Sequence, residues 1–490
     1  MTSLREKAVA GIAWSAVERI SQTVVVFVVQ LFLARILGPE QFGLLAMVSV
    51  FVVISNTIVD SGLGSALVQR KDITDADHST VFIFNLAAAI LMAAVLWMAG
   101  PAIASFYRQP VLADVVAVLG LGLILHAIGA VHKAQLQRQL AFKKLFWVTT
   151  PATVLSGMIG IGLALKGFGV WALVAQTLCL RAMGALSLWF QTGWRPRAVF
   201  EASRFGVLFS FGSKLALSSI LQQSFSNIYL LVIGRVFSPI EVGFFQRAKA
   251  MRELPIATLQ SVVGSVMFPV LSAVQQDSDR MKHILRRSLQ LSSLIAFSAM
   301  AFVAGLAGPL VLFLVGEKWL PCVPMLQLLC ISGALYPLHA GNLSLLEATG
   351  RSDLFLKVEI IKKVTTLANI FITYRYGIYA MMWGMVATSV LALMINTYYT
   401  DKIIRYDLGQ QAKDIAPALG LGALIFVVTS SVSLFTSGAP AVVGVMIGLL
   451  LAGGAGIGAV RLMPEEIKTE IRSWSARLPK RLHLAFGKIV

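Results

Sequence analysis

An otherwise apolar run at residues 247–260 contains several ionisable side chains. On a helix, Lys249 and Glu253 share one face and Arg252 lies about 60° from Lys249, whereas Arg247 points away and is expected at the membrane interface. Arginine binds an anion through a planar pair of donors, and lysine binds it as a point charge. The segment therefore predicts the binding of a multiply charged anion, rather than a catalytic centre.

Two other segments carry polar side chains at helical spacing. In the first, Glu18 and Gln22 are four residues apart, with Arg19 beside them. The second is a polar stripe in four-residue steps: Lys214, Ser218, Gln222 and Ser226. Counted from the expected inner ends of the helices, the charged residues of both segments lie about 12 Å deep. They are therefore predicted to face a common cavity.

The composition indicates the kind of element that positions these side chains. Of the 490 residues, 57% are hydrophobic and only 13% are charged, whereas soluble domains carry roughly 25% charged residues. Apolar runs of about 20 residues, long enough to cross a bilayer, recur along almost the whole chain. The sequence therefore predicts an all-α polytopic membrane protein.

We expect about fourteen transmembrane helices. They are predicted at residues 10–34, 42–63, 81–103, 113–132, 146–165, 169–191, 207–234, 241–271, 290–315, 323–346, 357–374, 378–400, 414–435 and 440–460. The loops between them are too short for a separate soluble domain.

The distribution of basic residues predicts the orientation. The net charge is +18, and most of the 41 Lys and Arg residues fall in alternate loops and the tails, which are therefore cytoplasmic. The outer loops hold only Arg35, Arg108, Lys166, Arg235, Lys318 and Arg375. Both termini are thus expected in the cytoplasm. The basic tail, residues 461–490, is expected to contact anionic lipid, and nucleic acid is not expected as a partner.

A short phrase occurs twice, 200 positions apart. LARILGPEQFG ends at Gly43 and IGRVFSPIEVG ends at Gly243, with a proline four positions earlier in each copy. KGFGVWALV (166–174) and YRYGIYAMM (374–382) form a second matching pair. These matches predict two parallel six-helix bundles, residues 1–200 and 201–410, followed by two additional helices at 411–460. The prolines are expected to open the next helix after a tight outer turn.

Several segments resemble one transporter family. They are AGIAWSAVERISQ (10–22), LARILGPEQFGLLAM (33–47), DSGLGSALVQRKDIT (60–74), FGVWALVAQ (168–176), IGRVFSPIEVGFFQRA (233–248) and LLEATGRSD (345–353). Across roughly residues 5–460 the chain resembles the Wzx-type polysaccharide exporters of the multidrug/oligosaccharidyl-lipid/polysaccharide (MOP) exporter superfamily, particularly those similar to the colanic-acid exporter.

The resemblance implies a function. It implies that an undecaprenyl-pyrophosphate-linked oligosaccharide is flipped to the outer leaflet of the bacterial inner membrane, by alternating access between the two halves. The expected partners are this lipid-linked oligosaccharide, the bilayer and polymer-assembly proteins, and no cofactor or metal is expected. The pyrophosphate is the anion that the basic residues would bind.

Within this hypothesis, the candidate residues take two roles. The substrate-binding candidates are Arg19, Lys214, Gln222, Lys249 and Arg252. The candidates for ion coupling or charge pairing are Glu18, Asp60 and Glu253. A purely structural interpretation is also open, in which Glu253 pairs with Lys249, Glu18 pairs with Arg19 or a neighbouring helix, and Arg181 pairs with Asp60.

Other ionisable residues are interpreted as structural. Lys362 and Lys363, close to Glu359, are expected to extend towards the cytoplasmic face. His126, His132 and His339 are expected to be packing or hydrogen-bonded residues. In KDITDADHST, Asp72, Asp75 and Asp77 have a spacing that can bind a metal–nucleotide, but a solvated loop that caps the third span is favoured.

Two other functions remain open. A membrane polysaccharide polymerase or assembly enzyme would carry catalytic groups in sizeable loops, and the outer loops contain almost no acidic residues. A multidrug exporter of the same superfamily would be expected to have an apolar or acidic cavity, whereas the embedded charge here is basic. The chain has no phosphate-binding loop for ATP hydrolysis.

Overall fold

The structure, a computed structural model, describes residues 4–70, 72–436 and 440–462. Within these ranges every regular element is a helix, which confirms the predicted all-α class. The first ten helices are α1 (Leu4–Ile36), α2 (Pro39–Asp60), α3 (Leu63–Gln69), α4 (Asp75–Tyr107), α5 (Val111–Arg138), α6 (Phe142–Leu165), α7 (Val170–Thr192), α8 (Ala202–Ser226), α9 (Ile228–Val236) and α10 (Pro239–Ala273).

The remaining helices are α11 (Ser278–Gly305), α12 (Ala307–Leu314), α13 (Val323–Ala334), α14 (Tyr336–Ala348), α15 (Ser352–Thr373), α16 (Ile378–Ile404), α17 (Leu408–Phe435) and α18 (Ala441–Leu462). Two short 3-10 helices, Glu317–Cys322 and Tyr374–Tyr376, precede α13 and α16. Each predicted span overlaps a helix or a pair of consecutive helices.

Ten segments in the described residues are long and apolar enough to cross a membrane, and α8, bent by 43°, would be an eleventh. α15 does not meet the same criterion because it carries the charged group around Glu359. α10 carries Arg247, Lys249, Arg252 and Glu253 in its first half. The polytopic membrane fold is therefore confirmed.

Several predicted spans are broken helices. The second span divides into α2 and α3 at Ser61 and Gly62, whose φ angles are 41° and 66°. The seventh divides at Asn227 and the tenth at Leu335, two residues before Pro337. A break leaves backbone groups without helical partners, so within a membrane it is tolerated only against protein or a water-filled cavity.

The helices pack into two compact units, Met1–Gln246 and Arg247–Val490. In the first unit α4 packs on α5, α1 on α6, and α7 on both α5 and α6; in the second, α11 packs on α17 and α15 on α16. The unit boundary lies inside α10 and not at residue 200, because α8 and α9 both pack against α2. The duplication, with its boundaries at residues 200, 410 and 460, stays a prediction.

The two copies of the repeated phrase contact each other within the first unit. A Cβ added to Gly43 would lie 1.7 Å from the carbonyl oxygen of Pro239, and one added to Gly243 would lie 2.0 Å from that of Pro39. The starts of α2 and α10 therefore meet backbone against backbone. As predicted, each proline is the first residue of its helix.

The KDITDADHST segment caps the third span, as favoured. The Thr74 hydroxyl accepts from the backbone N–H of Asp77, and the Asp77 carboxylate accepts from the backbone N–H of Thr74 at 2.8 Å. Arg204 of α8 also donates to Asp77, at 2.9 Å. The buried Asp77 side chain is therefore held as a structural cap.

Candidate binding site

The charged face of α10 groups one carboxylate with two cations. Glu253 forms an ion pair with the adjacent Arg252, and it also attracts the half-buried Lys249 one turn earlier. The side chain of Arg252 is 18% exposed and that of Glu253 is 39% exposed. This face therefore combines a largely buried guanidinium with a more accessible carboxylate.

Arg252 retains hydrogen-bonding capacity. Its Nε atom is buried and makes no hydrogen bond within the described part of the chain. Its aliphatic stem packs close to Gly333 of α13, where an added Cβ would lie 3.2 Å from the Arg252 Cδ atom. A buried donor of a charged group is costly to leave unsatisfied, so this geometry favours an anionic ligand at Arg252.

Arg247, expected at the interface, is buried instead. It is 7% exposed, and its guanidinium lies 5.0 Å from the ring centroid of the fully buried Trp319. A cation above an indole ring is attracted by the ring quadrupole, which replaces part of the lost hydration. The sequence predicted only that Arg247 lies on a different face of α10 from Lys249 and Glu253. Arg247 is buried because the 3-10 helix Glu317–Cys322, which contains Trp319, covers that face.

The polar residues in the middle of α1 face different surroundings. Thr149 of α6 donates to the Glu18 carboxylate at 3.4 Å, and Gln22 donates to Thr153 of the same helix at 3.4 Å. Arg19 is exposed. Glu18 therefore contacts a neighbouring helix, one of the two structural alternatives, whereas Arg19 stays accessible to a ligand.

The polar stripe of α8 lies opposite its packed face. Leu208, Gly212 and Ala216 are buried at four-residue spacing. The side chains of the stripe are exposed: Lys214, Ser218, Gln222 and Ser226. Charged side chains at membrane depth usually face a cavity or a partner, so this exposed stripe supports the predicted role of Lys214 and Gln222 as cavity-lining residues.

Asp60 has a partner that the sequence did not indicate. His126 of α5 contacts both of its carboxylate oxygens through Nε2, at 3.0 and 3.2 Å. Arg181, the partner suggested from the sequence, donates instead to the Asn56 side chain at 3.1 Å and to the Gly122 carbonyl at 3.2 Å, and attracts Asp60 electrostatically. No sequence spacing could reveal the pair, because 66 residues separate Asp60 from His126.

The remaining histidines and the α15 lysines are locally paired. His132 contacts Thr192 at 2.7 Å and His339 contacts Ser389 at 3.1 Å, which confirms hydrogen-bonded roles. Lys362 and Lys363 both bind Glu359, at 2.5 and 3.2 Å, and are partly buried. These lysines are therefore paired with the nearby carboxylate within α15, and their extension towards the cytoplasmic face stays a prediction.

The candidate residues divide between the two compact units. Arg19, Lys214 and Gln222 belong to the first unit, together with Glu18 and Asp60. The α10 residues Lys249, Arg252 and Glu253 belong to the second. Their convergence on one cavity stays a prediction.

Known proteins share this architecture. The structure of the lipid II flippase MurJ in an inward closed conformation is similar with a TM-score of 0.71 at 13% identity, over 91% of this chain and 98% of that one. An inward-facing MATE family multidrug transporter of the MOP superfamily is similar with a TM-score of 0.63 at 17% identity, over 78% of this chain and 94% of that one. These likenesses confirm the predicted fold.

Sequence relatives identify the family more closely. The chain is 25% identical to the teichuronic acid biosynthesis protein TuaB of Bacillus subtilis, over 89% of this chain and 91% of TuaB. It is 25% identical to the lipopolysaccharide biosynthesis protein WzxC of Escherichia coli, over 92% and 89% respectively. It is also 28% identical to the succinoglycan biosynthesis transport protein ExoT of Rhizobium meliloti, over 78% and 77%.

The profile of the family described as "Polysaccharide biosynthesis protein" matches residues 32–324, more than half of the chain. This range contains both copies of the repeated phrase and the charged face of α10. The resemblance to Wzx-type exporters is therefore confirmed, and the chain belongs to the polysaccharide biosynthesis protein family of multi-pass membrane proteins.

Proposed function

We propose that the protein flips an undecaprenyl-pyrophosphate-linked oligosaccharide from the inner to the outer leaflet of the bacterial inner membrane, for synthesis of a cell-surface or extracellular polysaccharide. The observation that carries this proposal is the charged face of α10, with its half-buried Lys249 and largely buried Arg252, in a member of this family. A pyrophosphate offers several anionic oxygens, which suits both a guanidinium and an ammonium.

The proposed mechanism is alternating access. The lipid pyrophosphate would bind Arg252 and Lys249, with Arg19, Lys214 and Gln222 lining the path of the polar head group. The lipid tail would stay in the bilayer while the polar group crosses. No covalent bond changes, so the protein acts as a transporter and not as an enzyme, and polymer-assembly proteins would use the flipped product.

Deletion of the gene tests this function. Polymer at the cell surface should fall to background, while lipid-linked repeat units accumulate on the inner leaflet. Quantifying both pools, and restoring export with the wild-type gene, checks the result. Normal export with altered polymer length would indicate an assembly enzyme instead.

The fold likeness to a MATE family transporter makes multidrug export the second candidate. The same deletion strain distinguishes it. Unchanged polymer together with increased sensitivity to cationic drugs would favour the multidrug exporter.

The proposed orientation places both termini in the cytoplasm. In a variant without Cys179, Cys322 and Cys330, a membrane-impermeant thiol reagent added to intact cells should label cysteine at Gln109. It should not label cysteine at Ser278 until the membrane is permeabilised. Labelling of Ser278→Cys in intact cells would contradict this topology.

A further inference from the structure

A histidine–carboxylate pair lies within the helices of the first compact unit. The Nε2 atom of His126 is 3.0 and 3.2 Å from the two carboxylate oxygens of Asp60. The side chains are 34% and 45% exposed. The pair is therefore accessible, whereas His132, six residues further along α5, is fully buried against Trp189 and Trp194.

The pair is deep in the predicted membrane region. His126 is twelve residues before the end of α5, which is about 18 Å along the helix axis. Asp60 is the last residue of α2, directly before the break at Ser61 and Gly62. Accessible charge at this depth is strongly unfavourable against lipid, so the exposed side of the pair faces water or another polar group.

Arg181 sets the charge of this site. It donates to the Asn56 side chain and the Gly122 carbonyl, and its positive charge attracts Asp60. With neutral imidazole, the charges of Arg181 and Asp60 cancel.

Other ionisable groups lie on the helices packed against α2, and Lys214 of α8 is two residues from Gly212, which contacts Gly62. The groups are Asp75, Asp77, His78 and Tyr107 on α4; Asp114, His132, Lys133 and Arg138 on α5; Cys179 on α7; Arg204 and Lys214 on α8; Tyr229 and Arg235 on α9; and Glu241 on α10. Among them, Asp77 pairs with Arg204, and Arg138 donates to the Leu67 carbonyl. Within the cluster, Arg181 is already protonated and an imidazole is a stronger base than a carboxylate, so His126 is the group that is suited to gain a proton.

We propose that Asp60, His126 and Arg181 form a proton-binding site. His126 donates its Nε2–H to the carboxylate of Asp60, and the incoming proton adds to the lone pair of Nδ1. No bond between heavy atoms changes, and the net charge of the cluster rises from zero to +1. A site that gains a full charge within a membrane responds to both the proton gradient and the membrane potential.

The position of the site connects proton binding with the backbone. Gly62, in the break after Asp60, is in close contact with α8: an added Cβ would lie 2.4 Å from the carbonyl oxygen of Gly212. A new charge beside this break changes the electrostatic balance where α2, α3 and α8 meet. Proton binding at this site would therefore couple a proton gradient to the packing of helices in the first unit.

Nitrogen NMR of the full-length protein, labelled with ¹⁵N-histidine in lipid bilayers, tests the proposal. The signal of His126 is assigned by its loss in His126→Gln. On acidification from about pH 8 to about pH 5, it should change from a neutral ring protonated on Nε2 to an imidazolium. A ring that stays neutral, or a neutral form protonated on Nδ1, overturns the proposal.

Variants and ions make the test specific. Asp60→Asn should weaken the preference for the Nε2-protonated form, because the amide is a weaker acceptor than the carboxylate. His132→Gln, a change on the same helix, should leave the His126 signal unchanged. Adding Na⁺ at constant pH should also leave it unchanged, and a Na⁺-dependent change would instead indicate a metal-cation site. The wild-type result does not depend on the folding of Asp60→Asn or His132→Gln, and it does not depend on the proposed transport substrate.

Discussion

Replacing Gly43 with alanine is expected to remove most of the folded protein from the membrane. The added methyl would lie 1.7 Å from the carbonyl oxygen of Pro239, far inside van der Waals contact. The obstructing atom belongs to the backbone, so no side-chain rotation relieves the clash. Overpacking typically costs about 1–3 kcal/mol, and more where the surroundings are rigid. Membrane abundance and thermal unfolding of the purified protein measure the effect.

The reciprocal contact provides an internal check. Gly243→Ala places its methyl 2.0 Å from the Pro39 carbonyl oxygen and should be similarly damaging. Gly162→Ala, within α6, is the matched control, because no atom lies within 4 Å of an added Cβ there. Alanine is favoured over glycine in a helix by about 1 kcal/mol, so this control should retain full abundance. Wild-type stability of Gly43→Ala would show that the two backbones are not in contact.

Loss of the charge of Arg252 or Lys249 is expected to reduce polysaccharide export by about tenfold or more, with protein abundance near wild type. A hydrogen bond to a charged group contributes about 1.5–3 kcal/mol. Keeping either cation within a membrane costs at least about 2.5 kcal/mol, so its removal need not destabilise the fold. Export and membrane abundance should be measured together for Arg252→Gln and Lys249→Gln. Lys166→Gln, in an exposed loop, is the charge-matched control and should export normally.

The Arg252–Glu253 ion pair requires a double variant. If Arg252 only neutralises Glu253, then Arg252→Gln leaves an unpaired carboxylate and lowers abundance. Adding Glu253→Gln would then restore both abundance and export. If Arg252 binds the substrate, export stays low in the double variant. Arg252→Lys should restore export only partly, because a point charge replaces a planar pair of donors.

Much of the fold follows from local properties of the sequence. The low charge content and the repeated apolar runs determine a polytopic helical membrane protein, because only helices satisfy their own backbone groups in lipid. Pro39 and Pro239 mark the starts of α2 and α10, and Thr74 marks the start of α4, since these signals act within one helical turn. The charged face of α10 was also recognisable, because its residues are neighbours in sequence.

Contacts between distant residues were decided by the tertiary structure. The sequence did not indicate that the adjacent Arg252 and Glu253 form an ion pair, because the pairing depends on side-chain geometry. It could not show that Arg247 lies under Trp319, or that Asp60 binds His126 and not Arg181. Periodicity gives the face of a helix, whereas the rotation and depth of each helix are set by packing against its neighbours. The backbone contact of Gly43 with Pro239 likewise arises only when α2 and α10 cross, because a glycine in a sequence does not show which backbone approaches it.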